Sequence, residues 1–575
     1  MSRSSSADQN GGGSSPDFEG DGGAARSSGA HHADSDSAGT PTARSPHHTD
    51  AETAASHEAA ESAAPKRGTA RRVLGVLGKI LGILLATLGA ILLASSFWIL
   101  RTFGPINVNQ LFANIPKGGG EEGADGDPAM IRSFIIEAVI IPLLILIALA
   151  IFYYVAVHKI RERSPNSGFN RYRPWLSAVL ALALFIAGAT HFSSTISLPT
   201  YIRGILTNES LANYYVSPAI ESRPEDPKNL VVIYLESMDD AFSQEDVMGE
   251  NLVESLDEAT AGWESIDNLE ISPYYGYTIA GIVSTQCGIP PKPADGMIMT
   301  DEEPGIVNDI AAGKGSFMHS TVCLGDILKQ DGYNNVYMGG ASTAFAGKGL
   351  FLNSHGFDTV YGRTYWTDNG ETEVSDWGLS DRRLFEHAKD QVKILHDAGQ
   401  PFTFSAITLD NHAPIKDFGY CEGTEDDIER ATIRCQADIV ADFVDYMEDE
   451  GILEDTVVVL MADHLLFTPS PIADFKKDMS QTEQQRQPLY NRIWTPDDVE
   501  FARDSGFHTD MYPTILELLG YQIEDHRAGI GVSFQASEEE VAGKGTILDL
   551  NYDEAANVFN SSSSDLYQEL WKPRG

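Results

Sequence analysis

Val457-Val458-Val459-Leu460-Met461-Ala462-Asp463-His464 is an unbroken apolar run that stops on a carboxylate and an imidazole. The same figure occurs earlier in Leu230-Val231-Val232-Ile233-Tyr234-Leu235, closed by Glu236, and Phe402 to Leu409 is a third run of this kind. Such runs are too continuous for half-exposed strands and too short to cross a bilayer, so they read as parallel strands covered on both faces. Helical spacing at Val322 to Asp331, with Gly332 as a C-cap signal, and at Arg382 to Leu395 gives an alternating α/β pattern. Asp510 to Leu519, with Pro513 in an early turn and Gly520 past its end, adds a further helix. Ligands of such sheets sit beyond the carboxyl ends of the strands, so Glu236, Asp463 and His464 are expected to converge on one edge.

A hydroxyl is available to the same edge. Thr278 follows Gly276 and opens Ile279-Ala280-Gly281-Ile282-Val283, whose spacing fits a helix, and a helix N-terminus offers free N–H groups to a phosphoryl oxygen. Threonine is a weak nucleophile at neutral pH and needs a cation on its oxygen or a base beside it. Two carboxylates, a hydroxyl and one imidazole suit Mn²⁺ or Mg²⁺ and accommodate Zn²⁺. The plainer alternative, a glutamate in a surface turn at a strand end, is not separated from this one by spacing alone.

The rest of the 575 residues restrict where such a site works. A formal net charge of −43 leaves no general basic surface for a phosphate backbone and excludes nucleic acid as a partner. Residues 1–72 are rich in Ser, Gly, Ala, Asp and His and read as a disordered cytoplasmic tail; the histidine pairs His31-His32 and His47-His48 lack a fixed geometry for metal. A transmembrane region, 73–200, holds three runs of spanning length at about 73–100, 134–157 and 175–198. The first is a signal anchor, its apolar run being too long for a cleaved signal core. Lys66, Arg67, Arg71 and Arg72 precede the first run, and Lys159, Arg161, Arg163, Arg171 and Arg173 lie between the second and third, so both segments belong in the cytoplasm. The loop carrying Glu121, Glu122, Asp125 and Asp127, and everything after about residue 200, then belongs outside the plasma membrane. Glu137 and His191 fall within spans and read as interfacial or interhelical structural residues. A linker, 201–228, a catalytic domain, 229–535, and a C-terminal extension, 536–575, complete the expected organisation. All four cysteines lie on the outer side, where oxidation is permitted. Of three possible connectivities Cys287–Cys323 with Cys421–Cys435 is favoured, buried thiols being the alternative.

Several separated motifs, in order, resemble membrane phosphoglycerol transferases. They are Leu235-Glu236-Ser237-Met238, Thr278 to Val283 followed by Gln286-Cys287-Gly288-Ile289-Pro290, Met338-Gly339-Gly340-Ala341-Ser342, Phe345-Ala346-Gly347-Lys348-Gly349, His355-Gly356-Phe357-Asp358, Trp377-Gly378-Leu379 with Asp381, and Ala462-Asp463-His464. The resemblance is strongest to the branch that decorates periplasmic glucans and extends to lipoteichoic acid synthases, within the alkaline phosphatase superfamily. It implies an extracytoplasmic α/β/α sandwich of the sulfatase type behind the three membrane helices. It also implies one divalent metal, Mn²⁺ by preference, held by Glu236, Thr278, Asp463 and His464, with Thr278 the residue that becomes phosphoglycerylated. His412, in Leu409-Asp410-Asn411-His412-Ala413-Pro414, matches a histidine that contacts the phosphoglycerol group and passes a proton. Lys348 and Phe345 fall where the synthases line a headgroup pocket, although this sequence departs there from their tryptophan and arginine. The implied reaction is a double displacement: phosphatidylglycerol donates phosphoglycerol, diacylglycerol is released, and a hydroxyl of an envelope glycan or teichoic-type polymer accepts. His508, in His508-Thr509-Asp510, resembles a superfamily segment without an assigned role. A phosphoethanolamine transferase, or another sulfatase-like phosphoryl hydrolase, is the alternative. A sulfatase proper is disfavoured, because Cys287 is followed by Gly288, Ile289 and Pro290 without the arginine of a maturation motif.

Overall fold

The computed structural model describes residues 67–104, 106–113, 128–164, 168–292, 316–467 and 470–572. The expected tail up to residue 66, with its histidine pairs, and the acidic loop of Glu121 to Asp127 lie outside the described residues. Of the described residues, 67–70 belong to a first unit, Met1–Ala70, and all the others to a second, Arg71–Gly575.

Three helical stretches, Arg72–Phe103, Ile131–Arg163 and Tyr172–Thr195, are long and apolar enough to cross a membrane. Their side chains are turned outward, Leu144 being 60% exposed and Trp175 76%, which suits a lipid solvent and no aqueous one. The first and third stretches cross at glycines: a Cβ on Gly188 would lie 2.1 Å from the Gly89 carbonyl oxygen. Small residues at such a crossing let helix backbones approach where no hydrophobic effect drives them together. At the ends nearest the α/β domain, Trp98, Ile99, Ile106, Val108, Ala138 and Ile196 form a small core. Glu137 is satisfied there by Arg101 at 2.7 Å and by the Ser133 hydroxyl at 2.9 Å, while His191 packs its ring on Phe97. The Arg101 and Phe97 contacts are interhelical and the Ser133 contact is local.

The domain is built on a six-stranded sheet. Its strands are β1 (Asn229–Leu235), β2 (Asn334–Gly339), β3 (Thr359–Tyr361), β4 (Phe402–Ile407), β5 (Thr456–Ala462) and β6 (Asn491–Trp494), in spatial order β3-β2-β4-β1-β5-β6. All neighbours are parallel except the β5–β6 pair. β1, β4 and β5 are buried at every residue, as their unbroken runs predict, whereas β6 alternates buried with half-buried residues as an edge strand should. Helix Asp381–Asp397 shows how the faces are covered: Leu384, Phe385, Ala388, Val392 and Leu395 form its buried stripe, and Ser380 caps it by accepting from Arg383 N.

The packed body is wider than the expected 229–535. Within the expected linker, Leu211 is fully buried, Val216 bridges to Gly529, and Ile220–Ser222 pairs with Gln522–Ile523. Within the expected extension, Val558, Phe559, Tyr567 and Trp571 join the main core. The two meet where Gly204, in helix Leu198–Leu206, lies against helix Tyr552–Asn560: its Cβ would stand 2.0 Å from the Asn560 carbonyl oxygen, and Asn560 Nδ2 donates to Thr200 O at 2.7 Å. The linker and the extension are therefore structural parts of the body that fasten the domain to the membrane helices.

Candidate active site

Strand register assembles the first three side chains. Leu235 of β1 stands opposite Ala462 of β5, so Glu236 and Asp463 leave the sheet side by side. Ser237 turns the chain at once with φ +56°, a left-handed conformation costly for a residue with a Cβ. That turn directs its N–H to Asp463 Oδ1 at 3.0 Å and its hydroxyl to Glu236 Oε1 at 2.7 Å. His464 Nδ1 is 2.9 Å from the Leu465 carbonyl, which only accepts, so the hydrogen sits on Nδ1 and Nε2 is left to face the carboxylates. Nε2 lies 3.5 Å from both Glu236 Oε1 and Asp463 Oδ2.

These groups fit a divalent cation. Donor atoms of Glu236, Asp463 and His464 all lie within 4.8 Å of one another, and all three residues are buried. Asp463 Oδ2 is buried without a hydrogen bond of ordinary geometry, an orphaned acceptor that a cation would satisfy. Burial, and then the negative charge of Glu236, push Asp463 up to about 7, with the Thr278 side chain among the groups that hold it down. Burial alone would lower His464, but Asp463 and Glu236 raise it instead. The cluster has the donor types for Mn²⁺, Mg²⁺ or Zn²⁺. A second cluster, Cys323, Asp326 and His355, does not fit: Cys323 is in a disulfide, and His355 is satisfied by Asp326 and by the Phe317 carbonyl, each at 2.8 Å.

Thr278 is the first residue of helix Thr278–Cys287, behind an extended Tyr277. One residue decides how near this helix comes: a Cβ on Gly281 would lie 2.1 Å from the Asp463 carbonyl oxygen. Only a hydrogen at that position lets the helix start lie against the strand end. The helix is further pinned to β1, where the Tyr234 hydroxyl meets Thr285 Oγ1 at 2.8 Å and accepts from Gln286 Nε2 at 3.1 Å. Its last residue, Cys287, is joined to Cys323, and Cys421 is joined to Cys435.

A cleft, about 710 Å³ including its solvent-open part, lies over Thr278, Glu236 and His464. Lys348, Phe345, Trp377 and His412 also line it. Lys348 is buried, and desolvation lowers it to about 8 against the pull of Glu236 and Asp463; its Nζ stands 5.8 Å from the Tyr337 ring centre. His412 is half-buried, and its enclosed surroundings push it down to about 4. Its Nδ1 is tied to the Ala413 carbonyl at 2.8 Å, so Nε2 carries the lone pair of a base, and its ring lies 4.0 Å from that of Trp377.

Every sequence-derived site residue except the cysteines thus lines this cleft or, for Asp463, lies at its floor beside Glu236 and Thr278. Trp377, in Trp377-Gly378-Leu379, lines the cleft although nothing in its sequence neighbourhood marks it as a site residue. Asp381 is another residue whose part was hidden: its carboxylate accepts from Leu409 N at 2.6 Å and Asp410 N at 3.0 Å, fixing the exit of β4 that carries His412. His508 is buried, pushed down to about 4 by burial, and its Nε2 is 3.0 Å from the Ala462 carbonyl, so it braces the residue before Asp463. Phe103, Gln110 and Phe467, which also line the cleft, carry no motif and were not found from the sequence.

The chain is 32% identical over 323 residues to phosphoglycerol transferase I of Xanthomonas axonopodis pv. citri, a match covering 54% of this chain and 43% of that protein. The chain therefore spans less than half the length of this relative. An alkaline phosphatase superfamily protein from Vibrio parahaemolyticus superposes with a TM-score of 0.46 and 18% identity, covering 66% of this chain and 95% of that one. A lipoteichoic acid synthase from Listeria monocytogenes superposes with a TM-score of 0.40 and 18% identity, covering 53% and 73%. The sulfatase family model matches residues 228–521, more than half of the chain and the whole of the sheet just described, and the chain belongs to the sulfatase family.

Proposed function

We propose that this protein is a membrane-anchored phosphoglycerol transferase that moves phosphoglycerol from phosphatidylglycerol to a hydroxyl of an envelope glycan or polymer. The observation that carries the reading is the contact at Gly281, which seats a threonine hydroxyl at a helix start beside a buried carboxylate–imidazole cluster. The relative's name, phosphoglycerol transferase I, supports the choice of headgroup. Thr278 Oγ forms a bond to phosphorus as the bond from phosphorus to the diacylglycerol oxygen breaks. An acceptor hydroxyl oxygen then bonds to phosphorus, and Thr278 departs. In the first displacement His412 Nε2 carries the Thr278 hydroxyl proton to the departing diacylglycerol oxygen, and in the second it carries the acceptor hydroxyl's proton back to the departing Thr278 Oγ. Glu236, Asp463 and His464, with the Thr278 hydroxyl, would hold the divalent cation, which supplies Lewis-acid activation and charge neutralisation at the phosphoryl group.

Lys348 favours glycerol over ethanolamine. A buried ammonium lining the cleft repels a cationic headgroup and tolerates a neutral one. Incubation of the full-length protein with phosphatidylglycerol labelled in its headgroup glycerol is expected to release diacylglycerol and move label to an envelope glycan fraction. Equal or faster transfer from phosphatidylethanolamine would contradict it.

The full-length protein, stripped of metal in detergent, is expected to bind one equivalent of Mn²⁺. Asp463→Asn should weaken that binding by more than about 100-fold, since it removes a ligand and not merely a supporting group. Two tight equivalents, or no effect of the substitution, would count against a single site. The basic residues between Lys159 and Arg173 support a location of the catalytic domain on the outer face of the plasma membrane. A reporter that works only outside the cytoplasm should therefore be active when fused after Val216 and silent after Arg163, and the reverse pattern would overturn the placement.

A further inference from the structure

The first apolar helix reaches the catalytic cleft itself. Phe103 and Gln110 line the cleft alongside Thr278 and His464. Gly104, buried and at φ +67°, lies flat on Phe467: a Cβ there would come within 2.7 Å of Phe467 Cβ and 2.9 Å of its Cγ. The Phe467 ring in turn stacks on the His464 imidazole, with centroids 4.9 Å apart and planes inclined by 28°. On the other flank the Asn107 amide donates to the carbonyl of Tyr274, in the loop just ahead of Thr278. Asn107 Oδ1 accepts from Gln110 N at 2.8 Å, so a single turn of chain carries the cleft wall and this contact together. Ile106 N donates to Thr195 O at 3.1 Å, tying the segment to the end of the third span.

These contacts grip both halves of the site. Among the described residues His464 makes one hydrogen bond, from Nδ1 to the carbonyl of the next residue, and that bond by itself does not fix the tilt of the ring plane. Stacking against Phe467 acts on the ring face, and Phe467 is placed by the close approach of Gly104. We propose that the domain-side end of the first membrane helix is a working part of the catalytic cleft, with Phe467 as the positioning residue that sets the His464 imidazole according to how that helix is seated. The inference rests on the reading of Glu236, Asp463 and His464 as ligands of a divalent cation. It makes membrane anchoring a determinant of site geometry, beyond its role in bringing the protein to its lipid.

The test uses the full-length protein in detergent micelles with two probes, Mn²⁺ binding and turnover of the soluble diester bis(4-nitrophenyl) phosphate. Phe467→Ala and Gly104→Ala are each expected to weaken Mn²⁺ binding about tenfold with its stoichiometry unchanged, the effect typical of a group that orients a ligand. Each should also lower kcat on the diester about tenfold or more with little change in KM. Phe467→Tyr keeps the ring and should restore both to within about threefold, which a merely structural loss would not explain. The double variant should be no worse than the poorer single one, because the two residues act through one contact. Should Gly104→Ala not fold, the Phe467 pair decides alone. Mn²⁺ affinity unchanged within about twofold in Phe467→Ala, or equal losses in the Ala and Tyr variants, would overturn the proposal. Absence of phosphatidylglycerol turnover by the unaltered protein would count against the phosphoglycerol reading and leave this test standing, since neither probe contains a lipid.

Discussion

Thr278→Ala is expected to abolish phosphatidylglycerol turnover, by about 10³-fold or more, while leaving the protein folded. The loss is large because the nucleophile itself is removed, and members of a catalytic unit do not substitute for one another. The stability cost is small because Tyr277 occupies the N-cap position and Thr278 is half-buried at the first helical residue, where alanine is a better helix former by a few tenths of a kcal/mol. A melting temperature within a few degrees of the unaltered protein, together with undiminished Mn²⁺ stoichiometry, separates this outcome from unfolding. Thr278→Ser should recover part of the rate, since it restores the hydroxyl.

Gly281→Ala is the sharper test of geometry, because two effects of opposite sign compete. Replacing a mid-helix glycine by alanine normally stabilises a helix by about 1 kcal/mol. Here the added methyl would meet the Asp463 carbonyl oxygen at 2.1 Å, and neither partner is the flexible end of a side chain. Backbone against helix must move apart, and overpacking of this kind costs about 1–3 kcal/mol, so the net change is destabilising. A displacement on the order of 1 Å between Thr278 and the carboxylate cluster should lower turnover about 100-fold even in molecules that remain folded. Circular dichroism melts and steady-state kinetics on the same preparation read both effects. A variant that is more stable and fully active would mean that the helix does not need its close seat.

Legibility in the sequence followed the range of the interactions. β1, β4 and β5 could be read directly, since strands buried on both faces are written as local apolar runs. β2 opens on Asn334 and Asn335, one of them buried with its amide bonded to Gly325 and Gly356, and such polar residues mask a strand. β6 is a four-residue antiparallel edge whose alternation is too brief to stand out. The seats of Leu211, Val216 and the C-terminal helices depend on partners some 300 residues away and have no local signature. The cleft divides in the same way: Glu236, Thr278, Asp463 and His464 are marked by strand ends and motif order, whereas Phe103, Gln110 and Phe467 enter it only through tertiary packing. The left-handed turn at Ser237 was hidden for another reason, since the residue in that conformation is not a glycine.

The covalent step is the claim on which the rest depends, and mass spectrometry reaches it most directly. Full-length protein mixed with phosphatidylglycerol without an acceptor, quenched in acid and digested, is expected to carry one phosphoglycerol group on the peptide containing Thr278. The group should be absent from Thr278→Ala and disappear from the unaltered protein when an acceptor glycan is added before the quench. Lipid turnover accompanied by the adduct on another side chain, or persisting at a near-normal rate in Thr278→Ala, would contradict the threonine mechanism.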